Sequence, residues 1–277
     1  MGHEIYNLYH HDDVIPLGNK GEWKPFEVIG MVSALTDEER NSNVLANCMK
    51  GFPILSEMKD AHDRKAILVC YGPSLQDTWP TVALSKFNGA DIITVSGAHK
   101  FLIERNVIPT HHIDCDPRER KARQFGLPHK DVKYWIGSCV DPLYIEILEG
   151  FDVTLWHNHN GPASEEFVWD IDPTAPLLVG GSSVGLRAIN LLYSQGYRDF
   201  EIHGMDCSFR DEHERHAGDH LSPKPKYIKV KFNEREFLTS PSFAEYAKQF
   251  DDQKLLPNAT FRLHGDGLLQ HMQRSSA

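Results

Sequence analysis

The 277-residue sequence predicts a Rossmann-like α/β fold: a doubly wound, mostly parallel sheet with helices on both faces. Three observations predict it. Short apolar runs such as Ala66–Cys70, Asp91–Val95 and Phe200–His203 have the length and composition of buried parallel strands. Stretches of helical period separate them, so strand and helix alternate along the chain. Finally, Pro176 to Phe209 reads as a complete strand, Gly/Ser turn, helix, turn and strand. In such sheets ligands lie beyond the carboxyl ends of the strands, where these turns emerge.

Residues 1 to about 40 have no clear period, and His10-His11-Asp12-Asp13 reads as a solvated arm or a metal cluster. A helix follows from Thr36, with an acidic first turn that suits the helix dipole, and Gly51 and Pro53 break it. A second helical piece is expected over Ile54 to His62. After the strand Ala66–Cys70 comes Tyr71-Gly72-Pro73-Ser74-Leu75, where Gly72 permits close backbone approach and Ser74 is placed to cap the next helix. Asp91–Val95 ends in Ser96-Gly97, and Ala98 to Arg105 is helical up to the breakers Asn106 and Pro109. His111 to Asp114 is a short strand. Strands at Val132–Ser138 and Asp152–His157 flank a helix from Pro142 to Leu148, and His157 to Gly161 closes the second of them as a polar loop.

In the unit at Pro176, the turn Gly180-Gly181-Ser182-Ser183 opens a helix carrying Val184, Ala188, Leu191 and Leu192 on one face, with Gly196 at its end. Tyr227 to Phe232 alternates as a two-faced strand, Ser240-Pro241 begins a helix to about Asp251, and Thr260 to His264 is a last strand. Residues 269–277 read as a frayed tail.

Composition narrows the function. A net charge of −10, with Lys and Arg scattered, argues against a nucleic-acid groove. Five cysteines without CxxC spacing fit reduced, buried thiols, not a disulfide frame or zinc ribbon. The N-terminus lacks an apolar signal core and no run reaches membrane-spanning length, so a cytoplasmic protein without a membrane span is expected.

Four stretches carry the candidate chemistry. The Gly/Ser turn at Gly181-Ser182-Ser183 offers a helix N-terminus to a phosphate or carboxylate, or serves only as a tight turn. The Gly72–Leu75 turn matches neither a dinucleotide fingerprint nor a Walker A loop. Asp114-Cys115-Asp116 presents two acids that could hold a divalent cation across a pyrophosphate, or cap the following helix. The basic residues Arg118, Arg120, Lys121 and Arg123 there could aid a phosphate or form a solvated face. After Phe209, the loop holds His213, His216 and His220 at spacings of three and four, read as a zinc face, a general acid/base pair or a solvated loop.

Taken in order, four motifs resemble the MptE-like family, which spans archaeal 6-hydroxymethylpterin diphosphokinases and bacterial motility-accessory-factor flagellin glycosyltransferases. They are GPSL at Gly72 to Leu75, VIPTHHIDCDP at Val107 to Pro117, VGGSSVGLRAINLLYSQGY at Val179 to Tyr197, and IHGMDCSF at Ile202 to Phe209. The chain is more distantly similar to Campylobacter-type sialyltransferases. The resemblance implies an N-terminal extension over 1–43 and a nucleotide-binding transferase domain over 44–268. It assigns nucleotide contact to Gly72, Pro73, Ser74, Leu75, Ser96, Gly97, Gly181, Ser182 and Ser183. The His-x-x-x-His pair of the sialyltransferases falls on His216 and His220, making His220, or failing that His216, the base, with Asp206 beside the site. In the diphosphokinases the acids matching Asp114 and Asp116 hold Mg2+, and both are kept here between different neighbours. The function implied is glycosyl transfer from a nucleotide-activated donor, CMP-nonulosonate in type, to a glycan, a protein hydroxyl or a pterin. Alternatives are Mg2+-dependent pyrophosphoryl transfer from ATP, or nucleotide binding without catalysis.

Overall fold

The computed structural model describes residues 14–18, 35–221 and 223–274. Its centre is an eight-stranded sheet in which every neighbouring pair runs parallel. The strands are β2 (Lys65–Val69), β3 (Asp91–Val95), β4 (His111–Asp114), β5 (Lys133–Gly137), β6 (Asp152–Asn158), β7 (Leu177–Leu178), β8 (Asp199–His203) and β11 (Thr260–His264). Their order is β11-β8-β2-β3-β4-β5-β6-β7. From β2 the chain steps outward to β7, then returns across the sheet to place β8 on the other side of β2. The order therefore reverses at β2, and the turns after β2 and β8 open a crevice there.

Alternation along β2 decides which helices cover which face. Ala66, Leu68 and Cys70 pack with α7 (Val184–Ser194), α8 (Pro241–Gln253) and α9 (Leu268–Arg274). Ile67 and Val69 point the other way, onto α2 (Leu75–Ser85) and α3 (Ala98–Ile103). Along the same face Ala122 and Phe125 of α4 (Glu119–Phe125) and Tyr144 and Ile145 of α5 (Pro142–Ile147) cover β5 and β6. Burial on both faces explains why these strands read as unbroken apolar runs. Helix α1 (Asp37–Cys48) starts in a capping box, in which Thr36 and Glu39 satisfy each other's backbone N–H groups.

A second sheet, β1 (Val14–Gly18), β9 (Ile228–Phe232) and β10 (Arg235–Thr239), joins the N-terminal segment to the C-terminal third. Ile228, Val230, Phe232 and Phe237 turn into the α7–α8 core, which accounts for the two-faced pattern of β9.

Several expectations are corrected. Ile54 to His62 is not helical: Ile54 bridges to Leu155, Lys59 donates to the Ser194 carbonyl and His62 to that of Gly196, so the backbone bonds outward instead of to itself. The 269–277 tail is largely ordered, because α9 buries Leu268, Leu269 and Met272 in the core. The His213–His220 loop forms no helix, so its spacing does not align three imidazoles on a helical face. Strands β7 and β8 of the Pro176 unit belong to one parallel sheet but lie far apart in it. The sequence reading also missed β1, α6 (Pro162–Ile171) and β10. His10 to Asp13 lie outside the described residues. Among the described residues no helix is long and apolar enough to cross a membrane.

Candidate active site

A cleft of about 990 Å³ lies over the carboxyl ends of the strands, between the turns after β2, β3, β4 and β8 and the start of α7. Gly72, Ser96, Asp116, Ser182, Ser183, Asp206, His216 and His220 line it. Pro73, Ser74, Leu75 and Gly97 lie buried behind that wall, and Gly181 and Asp114 do not line it.

The GPSL turn is fixed by Asp206. Ser74 donates its backbone N–H to Asp206 Oδ2 at 2.8 Å and its hydroxyl to Oδ1 at 2.5 Å. Ser74 thus turns its side chain to Asp206 and makes no side-chain cap on α2, contrary to the sequence expectation. Asp206 is 3% exposed, and burial raises its carboxyl to about 6. Glycines make the close packing feasible: a Cβ at Gly72 would sit 2.5 Å from the Gly204 carbonyl oxygen, and one at Gly267 2.5 Å from Asp206 Cβ.

At the Gly/Ser turn the backbone of Gly180 and Gly181 takes positive φ, which side chains resist. Ser183 Oγ then accepts from the Leu186 N–H and caps α7. Ser182 is tied to α8, donating its N–H to Gln249 Oε1 at 2.9 Å while its hydroxyl accepts from Gln249 Nε2. Arg187 folds back over the turn, donating to the Gly181 carbonyl and to Asn160 Oδ1 at 2.7 Å.

The two acids of the DxD motif diverge. Asp114 points beneath the cleft: its Oδ1 accepts from the backbone N–H groups of Cys115 and Asp116, and its Oδ2 lies 3.5 Å from the Tyr144 hydroxyl. Desolvation raises its carboxyl to about 6. Asp116 faces the cleft paired with Arg118, which donates from Nε at 2.6 Å and from a second nitrogen, and with Lys121 Nζ at 3.8 Å. Burial opposes its ionisation, but these cations prevail and hold it below the usual carboxylate range. As they stand, the acids do not fit a shared divalent cation, because one carboxylate serves backbone donors and the other serves guanidinium and ammonium groups.

Cations dominate the lining. Arg40, Arg118, Arg120, Lys121, Arg187, Arg215 and Lys224 line the cleft, against the two acids Asp116 and Asp206. Lys121, only 8% exposed, has its ammonium pK lowered by burial. Arg123, also in the basic run, instead pairs outward with Glu119. Arg40, Arg215 and Lys224 lie outside the four motifs, and Arg187, inside the Val179 to Tyr197 stretch, gave no separate signal there.

His216 and His220 stack with ring centroids 3.7 Å apart, and His216 lies parallel to the Tyr71 ring at 5.7 Å. Their loop is docked by the Ala217 N–H on the Tyr71 carbonyl and by the Tyr71 hydroxyl on the Asp219 carbonyl. Desolvation, reinforced by nearby cations, lowers His216 to about 3, and desolvation with His216 and Lys121 lowers His220 to about 2. Both imidazoles are therefore neutral near pH 7. His213 is exposed and stands apart from the cleft lining.

Residues 41–212, more than half of the chain, match the family described as "6-hydroxymethylpterin diphosphokinase MptE-like". No curated protein matches the sequence. Among solved structures, a MAf glycosyltransferase from Magnetospirillum magneticum AMB-1 superposes with a TM-score of 0.62 at 14% identity, covering 88% of this chain and 42% of that one. This chain thus spans less than half of that protein's length. A mammalian sialyltransferase in complex with Gal-beta-1-3GalNAc-ortho-nitrophenol aligns at a TM-score of 0.40 and 11% identity, over 84% of this chain and 87% of that one.

Proposed function

The chain belongs to the MptE-like family, and from that premise we propose that it is a glycosyltransferase with a nucleotide-activated sugar, CMP-nonulosonate in type, as donor. The observation that carries this reading is the pairing, in one cleft, of a cationic lining with two neutral stacked histidines. Gly72, Ser96, Ser182 and Ser183 contact the nucleotide, and the start of α7 with Arg187 and Lys121 receives the leaving phosphate. Asp206 acts through Ser74 as a positioning residue.

In the reaction the acceptor hydroxyl oxygen bonds to the anomeric carbon as the bond from that carbon to the donor phosphate oxygen breaks. The hydroxyl proton passes to the imidazole of His220, and the electron pair of the broken bond leaves on the phosphate, whose charge the cations balance. Burial, with these cations adding to it, keeps both imidazoles weakly basic in the free protein. An anionic donor offsets that field and raises their basicity once it is bound.

The rival, pyrophosphoryl transfer from ATP across Mg2+, rests on the family's description and requires Asp114 and Asp116 to leave their present partners. The two make opposite demands. His216→Ala combined with His220→Ala abolishes glycosyl transfer while leaving donor binding in place, measured by product formation and by calorimetry. Undiminished transfer in that double variant would remove the base assignment. Activity that disappears in Asp114→Asn and needs Mg2+ would favour the kinase instead.

A further inference from the structure

Glu201 and His203 follow one another on the same side of β8, and His264 lies directly opposite His203 in the parallel register of edge strand β11. Phe200 and Ile202 turn into the α7 core, so these polar groups occupy the other face of the sheet, away from the cationic cleft. Each of the three offers a ligand atom, and these atoms lie within 4.8 Å of one another.

Two details distinguish the cluster from an ordinary buried ion pair. His203 is 0% exposed, yet neither of its ring nitrogens has a hydrogen-bond partner, and His264 Nε2 is likewise buried without one. Buried imidazole nitrogens normally find partners, because an unmet one has given up its hydration for nothing. The His203 and His264 rings also stack in parallel planes with centroids 4.2 Å apart, which brings their nitrogens to one side of the strand pair. The carboxylate of Glu201 is already oriented: Lys65 Nζ donates to its Oε1 at 2.8 Å and Arg262 donates to the same oxygen. The other oxygen, Oε2, faces His264 Nε2 at 3.7 Å.

We propose that Glu201, His203 and His264 bind a divalent transition-metal ion, zinc by donor chemistry, through two imidazole nitrogens and one carboxylate oxygen. Nitrogen and oxygen donors in this ratio suit zinc, and the three side chains leave a further position for water at the sheet edge. Small rotations close the ligand atoms onto the ion, while Lys65 and Arg262 keep Glu201 aimed and offset part of its charge. His264 is half-buried, which gives the ion a path in from solvent.

The site has a structural consequence. His203 precedes Gly204 and Asp206, and His264 precedes the turn Gly265 to Gly267 that packs on Asp206. An ion joining β8 to β11 fastens the two turns that hold Asp206 against Ser74. Its role is to stiffen the cleft wall from behind.

The test is titration of Zn2+ alone into the full chain against a chromophoric chelator, with Co2+ absorption as a second readout. Wild-type protein takes up a tight equivalent, shows tetrahedral Co2+ bands and melts at a higher temperature with the ion. His264→Ala, and separately Glu201→Gln with its volume kept, weaken that equivalent by about ten-fold or more and lose the bands. Circular dichroism of each metal-free variant checks that it is folded. Absence of tight zinc uptake by the wild type would overturn the proposal. So would uptake that survives in both variants, or uptake lost only in the His216→Ala, His220→Ala protein, which would assign the ion to the cleft.

Discussion

Asp114 is a carboxyl that the fold holds away from water, joined through Tyr144 to His112 and from there to Thr94. Every group in this chain is comfortable only when neutral: burial pushes the Tyr144 hydroxyl well above its ordinary value and His112 well below its own. The carboxyl of Asp114, raised to about 6, lies above the value of about 3.9 that it takes in an unfolded chain. Between those two values the folded state binds more protons than the unfolded state. Stability from this group is therefore full below about pH 4, falls as pH rises, and is lost above about pH 6. Asp114→Asn keeps the acceptor oxygen for the Cys115 and Asp116 N–H groups and removes the charge. It should stabilise the protein at pH 8 by up to about 3 kcal/mol, with the gain shrinking toward zero near pH 4. Urea unfolding at the two pH values measures it, and equal gains at both would refute the assigned cause. The DxD spacing showed that two acids adjoin a strand end. It did not show that one of them turns under the sheet, because that depends on which face of β4 packs against α5.

At the scale of elements, the strands were legible because parallel strands buried on both faces must be apolar throughout. What escaped was written in other terms. Helix α6 begins Pro162-Ala163-Ser164-Glu165 directly after Asn158-His159-Asn160-Gly161, so turn chemistry hides its start. Strand β10 has exposed Arg235 and Glu236 at its head, and it exists because the Asn233–Glu234 turn folds it onto β9. Ile54 to His62 had helical composition but found backbone partners on β6 and at the end of α7. The GPSL turn depends on spacing that a single methyl group breaks. Gly72→Ala puts its Cβ 2.5 Å from both the Gly204 carbonyl oxygen and Asp206 Oδ2. It should cost about 1–3 kcal/mol, a fall in Tm of roughly 3–10 °C, together with weakened nucleotide binding. Gly89→Ala is the control, since its Cβ meets nothing within 4 Å and only its positive φ of 73° resists the change. Calorimetry on both separates a local turn defect from general loss of stability, and unchanged binding by Gly72→Ala would detach GPSL from the site.

For the whole molecule, the formal charge is −10, yet the cleft gathers cations from α1, α4, α7 and the loop after β8. Such a reversal of sign draws anions toward one place on an otherwise acidic surface. The sequence displayed the pieces but not their meeting, because Arg40, Lys121, Arg187 and Arg215 converge only through the return of α7 across the sheet to β8. The same is true of Glu201, His203 and His264, which lie 63 residues apart at their extremes (264 − 201) and meet only through the β8–β11 pairing. We propose this cleft as a nucleotide site serving a sugar donor. Its most direct test is the thermal shift of the full chain with CMP, UDP, GDP and ATP, each with and without Mg2+, since a ligand bound by the folded state alone raises its melting temperature. CMP should give the largest rise, unchanged by Mg2+, and the rise should diminish with added salt as the cationic lining is screened. A shift confined to ATP with Mg2+ would contradict the donor assignment, and no shift with any of the four would contradict the site itself.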